Sequence, residues 1–143
     1  MISFCTLRKA KSYNAGKKKL LRNYEQAIAA DFQSTGQVGF GKSGNLYSRV
    51  YYFHREHQVA DADNISKPIL DALTGHAYAD DKQVIFRSAA SLNMEEGFVI
   101  DYTNLSSDLV ADITNAVLQG KSIIYIEVGA FSNDFIQFGV NTQ

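Results

Sequence analysis

A chain of 143 residues, 45% apolar and 20% charged, is long enough to bury a core and has the balance of a globular domain. That composition excludes a disordered or fibrous polymer, and no apolar run reaches the length that spans a bilayer. A net charge of −1 taken alone argues against a nucleic-acid binder.

The distribution of charge says something different. Residues 1–60 carry ten Lys and Arg against three acids, and residues 61–143 carry four against twelve. Such a chain can offer a cationic surface to phosphates beside an acidic pocket that holds metal, unless the two halves interleave in space. The single cysteine, Cys5, sits among apolar neighbours and reads as a small core residue. Its isolation fits a reducing compartment, and Met1–Leu7 lacks the pattern of a signal peptide, so a cytoplasmic protein without membrane attachment is expected.

In chain order, Ile2–Leu7 reads as a first strand. From Lys17, apolar residues at Leu20, Leu21, Tyr24, Ala27, Ile28 and Phe32 recur at helical spacing and leave Lys18, Lys19, Arg22 and Glu25 on the outer face. Ser34–Asn45 holds four glycines and reads as a loop. Leu46–His54, rich in Tyr, Val and Phe, is a strand. Ile65–Thr74 is a helix closed by Gly75 in a left-handed cap, with Asn64 as its N-cap; Pro68 is expected in the opening turn, which puts the start near Asn64 or Ile65. Val84–Leu92 and Ile123–Val128 read as strands, Phe98–Tyr102 as a further one, and Asp108–Leu118 as a helix ended by Gly120. There are no repeats and no linker, so one domain over residues 1–143 is expected, in the α/β class of the α+β type.

The chemistry is concentrated between Asp61 and Gln83. Asp61 and Asp63 are two residues apart, which on an extended chain points both side chains the same way. Lys67 lies one turn into the following helix, and Asp80-Asp81 could return to the same corner after Gly75. Two like charges about 4 Å apart repel by roughly 4 kcal/mol at an effective dielectric near 20. A divalent cation removes that penalty, and carboxylate oxygens are the donors that magnesium accepts. A site of this kind suits phosphodiester hydrolysis, with Lys67 adding positive charge where the transition state becomes more negative.

Asp61, Asp63, Asn64, Lys67, Asp71-Ala72-Leu73, Asp80-Asp81 and Gln83 together closely resemble the signature of the RusA family of Holliday-junction resolvases. The signature covers 23 residues here and is far more specific than a bare Asp-x-Asp. The resemblance implies a small mixed β-sheet packed with two or three helices. It also implies a homodimer that resolves four-way DNA junctions by paired nicks, in recombination and repair, with Mg²⁺ or Mn²⁺. Carried over by position, Asp61, Asp63, Asp81 and Lys67 are the catalytic residues, and Asp61, Asp63 and Asp81, with Asp80 as a weaker candidate, bind metal. Asp71 is expected to pair with Lys67. The stretch 93–120 is longer than a simple hairpin. A non-catalytic protein that binds branched DNA on the same scaffold is the alternative.

Lys17, Lys18, Lys19 and Arg22 form either a solvated helix face or a phosphate-contacting one, and Arg49 and Arg55 are similar DNA-binding candidates. Gly36–Ser43 matches the phosphate-loop pattern letter for letter, but the segment before it reads as a helix and the one after as a strand. That order is wrong for a nucleotide site, so no nucleotide cofactor is expected. His54 and His57 read as surface or hydrogen-bonded histidines, splayed too far apart to share a metal, and either could lie beside the site. Tyr47, Tyr51, Tyr52 and Phe53 read as packing groups, and Tyr78 as a support beneath the acids.

Overall fold

The computed structural model describes residues 1–12 and 18–139. Four strands form one mixed sheet: β1 (Ile2–Thr6), β2 (Leu46–His54), β3 (Val84–Asn93) and β4 (Ile123–Ala130). Their order is β1-β4-β2-β3. β4 runs antiparallel to both β1 and β2, whereas β2 and β3 are parallel. A parallel pair cannot be joined by a tight hairpin. The crossover between β2 and β3 is made by α2 (Ala62–Leu73), and that crossover carries the acidic segment.

The two faces of the sheet are covered differently. On one, α1 (Lys18–Ser34) and α2 pack over Ile2, Phe4, Val50, Tyr52, Ile124 and Ile126, all essentially buried. On the other, α3 (Ser107–Gln119) meets Phe53, Ile123 and Tyr125 through Ile113 and Ala116. The fold is thus a four-stranded mixed sheet with three helices, within the expected α+β class. Among the described residues no helix is long and apolar enough to cross a membrane.

Two expectations need correction. Phe98–Tyr102 forms no strand: it pairs with nothing and runs over the α3 face, where Ile100 and Tyr102 pack while Val99 is fully exposed. The start of α2 also lies earlier than Pro68 suggests. Asp61, not Asn64, is the N-cap, Ile65 N donates to Asp61 O at 3.1 Å, and Pro68 lies inside the helix. An interior proline costs roughly 3 kcal/mol. Burial of Ile65, Ile69, Leu70 and Leu73 on the same helix, at about 1.5–3 kcal/mol each, outweighs it.

The charged halves do interleave, since acidic-half β4 lies between basic-half β1 and β2. The asymmetry survives locally, where α1 with exposed Lys18, Lys19 and Arg22 packs beside α2. Lys17 lies outside the described residues.

Candidate functional site

The first turn of α2 presents the paired carboxylates. Asp61 occupies the N-cap but makes no side-chain capping bond, and Asp63 sits in the first turn, where the unpaired N–H groups favour negative charge. Because α2 begins at Ala62, the pair is arranged by a helix start rather than by the extended chain that the spacing suggests. Asp63, Lys67 and Asp71 follow at intervals of four and so share one helix face. Lys67 Nζ approaches Asp71 at 3.2 and 3.3 Å, which is the expected pairing.

Two adjoining cavities open along α2 and the edge strand β3. Asp63 and Lys67 line one of about 470 Å³, together with Arg87 and Ala89 of β3. Asp61 lines the other, of about 520 Å³, with His54, Glu56, His57 and Glu96; Ala62 and Ala89 border both. His54 is buried and hydrogen-bonded. Glu56 N donates to its Nδ1 at 3.1 Å, so the neutral ring carries its proton on Nε2, 2.9 Å from Ser91 Oγ. That nitrogen pair is committed to structure, in keeping with the sequence reading.

After α2, residues 74–83 form a tightly bonded turn. Gly75 adopts a φ of +84°, and its N–H donates to Tyr78 O at 2.7 Å. Tyr78, fully buried, donates its hydroxyl to Leu70 O at 2.6 Å, and burial pushes its phenol well above the usual range. The Asp-Asp-x-Gln element then builds a capping box. Gln83 Oε1 accepts from Ala79 N and Asp80 N, both at 3.0 Å, while the Asp80 carboxylate accepts from Lys82 N at 2.9 Å. That last bond holds the exposed Asp80 carboxyl below its ordinary value. Asp81, the other acid, is half-buried, and its backbone carbonyl accepts from Arg87 Nη2 at 2.9 Å.

The glycine-rich segment follows a helix and precedes a strand, the reverse of a phosphate loop. It docks on this turn instead: Phe40 N donates to Ala77 O at 2.7 Å and Ala79 N to Gly41 O at 2.9 Å. Gln33 of α1 adds a bond to His76 Nδ1 at 3.1 Å. The loop therefore braces the acidic turn, a role that no local pattern signals.

The basic candidates divide by face. Glu25 of α1 comes close to the Lys67–Asp71 pair, and Arg22 comes close to Glu25. Burial, then the repulsion of Asp71, raises the Glu25 carboxyl, while Lys67 and Arg22 oppose that shift. Arg49 and Arg55 are not brought to the acids. Arg49 lies 5.4 and 5.7 Å above the rings of Tyr47 and Phe135, near Glu127, and Arg55 donates to Val117 O at the end of α3. Cys5 is packed beneath α3, and burial, then Asp112, pushes its thiol up to about 12, which suits a packing role. Arg87 was not singled out by sequence spacing; only the strand register reveals its place.

Among the described residues no group of three or more His, Cys, Asp or Glu side chains stands ready to hold a metal ion. The four expected carboxylates are thus not preassembled into a cage. Magnesium is commonly held by one or two carboxylates with phosphate oxygens and water completing the shell. Hard oxygens at an uncapped helix start fit that requirement.

A search of curated proteins finds no match to the chain. The sequence pattern described as endodeoxyribonuclease RusA matches residues 6–100, from the end of β1 through β3, and so takes in both cavities and the acidic turn. With more than half of its length matched, including every residue of the Asp61–Gln83 signature, the chain belongs to the RusA endodeoxyribonuclease family.

Proposed function

We propose that this chain nicks four-way DNA junctions, with a divalent cation held by Asp61, Asp63 and Asp81. The observation that carries the reading is the single wall on which Asp63 and Lys67 face one cavity, next to the cavity of Asp61. A bound Mg²⁺ or Mn²⁺ would polarise the phosphodiester and supply hydroxide. Asp61 and Asp63 orient the cation, Lys67 stabilises charge on the phosphate, and Asp71 holds the lysine in place. Asp80 serves to build the turn that presents Asp81, rather than to bind metal first-hand. Lys18, Lys19 and Arg22 extend the contact along the DNA backbone.

Paired nicks on opposed strands need two such sites, and each chain carries one set of acids, so the working unit is a homodimer. The test compares synthetic four-way junction and matched linear duplex, with and without Mg²⁺ or Mn²⁺. Metal-dependent nicking confined to the junction is expected; equal cutting of the duplex would remove the junction reading, and cutting without metal would remove the cation.

A second reading, a branched-DNA binder without catalysis, draws on the absence of a preassembled group of three ligands among the described residues. It requires junction binding with no product at any concentration of either metal.

A further inference from the structure

The pairing of β2 with β3 contains one irregularity. Leu46 stands opposite Val84, but Tyr47 stands opposite Phe86, so Ile85 is an extra residue in β3. Strand side chains alternate with period two, and an insertion of one residue sends every later side chain to the opposite face. Without the bulge, in a regular register that pairs Ile85 with Tyr47, Phe86 would pair with Ser48 on the α2 side and Arg87 with Arg49 on the α3 side. With it, Phe86 packs with Phe135 at 5.6 Å on the α3 side. Arg87 instead pairs with Ser48 and faces the cavity of Asp63 and Lys67.

The guanidinium is then used in a specific way. Its Nη2 donates to Asp81 O at 2.9 Å and its Nε to Val84 O at 3.1 Å. These two carbonyls flank the passage from the acidic turn into β3. An arginine fork reaches both from one planar group, whereas a lysine brings the charge on a single nitrogen without that geometry. One side chain thereby joins the strand wall opposite Asp63 and Lys67 to the backbone that carries Asp81.

Resting on the nuclease reading above, we propose that Arg87 is a positioning residue: through the bulge at Ile85 it fixes Asp81 against the cavity that holds Asp63 and Lys67. The side chain is exposed, so its replacement leaves the core intact.

The test uses the full chain with Arg87→Gln and Arg87→Lys. It reads kcat and KM for junction nicking, junction affinity without metal, and Mn²⁺ affinity by calorimetry. Removing a group that orients a ligand typically lowers activity or metal affinity by about 10- to 100-fold. Both variants should lose kcat and Mn²⁺ affinity in that range, while KM and metal-free junction affinity stay near wild type. Recovery of the wild-type rate in Arg87→Lys would show that charge alone matters and would overturn the proposal. So would unchanged Mn²⁺ affinity in both variants, or a loss confined to junction affinity. A wild-type chain that nicks nothing would sink the nuclease reading instead, and that arm is read first.

Discussion

A Cβ placed on Gly39 would stand 2.5 Å from the carbonyl oxygen of His76 and 2.9 Å from that of Ala77. Both neighbours are backbone atoms of residues whose N–H groups donate to Leu73 O, so neither can yield cheaply. The glycine is what lets the α1–β2 loop press on the turn that leads to Asp80 and Asp81. Gly39→Ala should cost about 1–3 kcal/mol, as overpacked sites do. A lowered midpoint in urea unfolding, together with slower nicking, is the expected outcome. A variant as stable and active as wild type would show that the loop does not brace the turn.

Lys67 and Asp71 make a half-exposed pair four residues apart on α2, and such pairs contribute only about 0.3–0.5 kcal/mol to stability. Under the proposed function its value lies in the reaction. Lys67→Ala should leave the unfolding midpoint nearly unmoved while lowering the nicking rate on the order of 10²-fold, as loss of a charge-stabilising donor does. Asp71→Asn should be much milder. Equal effects of the two variants on rate would contradict the assigned roles.

On the far face of the sheet, the Glu127 carboxylate accepts the hydroxyls of Tyr47, at 2.5 Å, and of Tyr125. The carboxylate is buried, and hydrogen bonds to a charged group contribute roughly 1.5–3 kcal/mol. Burial first, and then the bond to Glu127, raises both phenols well above their usual range. Glu127→Leu should destabilise the chain by a similar amount in urea unfolding, because it strands two buried hydroxyls. No change in the midpoint would mean that the cluster carries no net stability.

Glu25 provides a pH signature. Its carboxyl is raised in the folded chain, so the native state holds that proton more tightly than the unfolded state. The contribution to stability is complete below the ordinary glutamate value and is lost as pH rises through the raised one. Glu25→Gln removes that decline. Relative to wild type it should therefore gain stability between acidic and neutral pH, measured by unfolding at a series of pH values. A difference that stays constant across the series would contradict the shift.

Much of this was legible in the sequence because local rules sufficed. Helical spacing gave α1 and α3, the left-handed glycines Gly75 and Gly120 marked ends, and the signature pointed to the one segment Asp61–Gln83. What was not legible depended on partners distant in the chain. Phe98–Tyr102 has strand composition but no neighbour to pair with. Pro68 suggested a late helix start, since the burial that offsets its cost is tertiary. Arg87 could not be placed on a face from alternation, because one extra residue in β3 resets it. The docking of Gly39 on His76 joins residues that no short-range pattern connects.

In the proposed reaction Asp63 acts in chemistry rather than in folding or DNA contact. The direct measurement is the nicking of a four-way junction in Mg²⁺ by wild type and by Asp63→Asn, with junction affinity measured alongside. The prediction is product from the wild type, essentially none from the variant, and equal binding by both. Undiminished cutting by Asp63→Asn would contradict it.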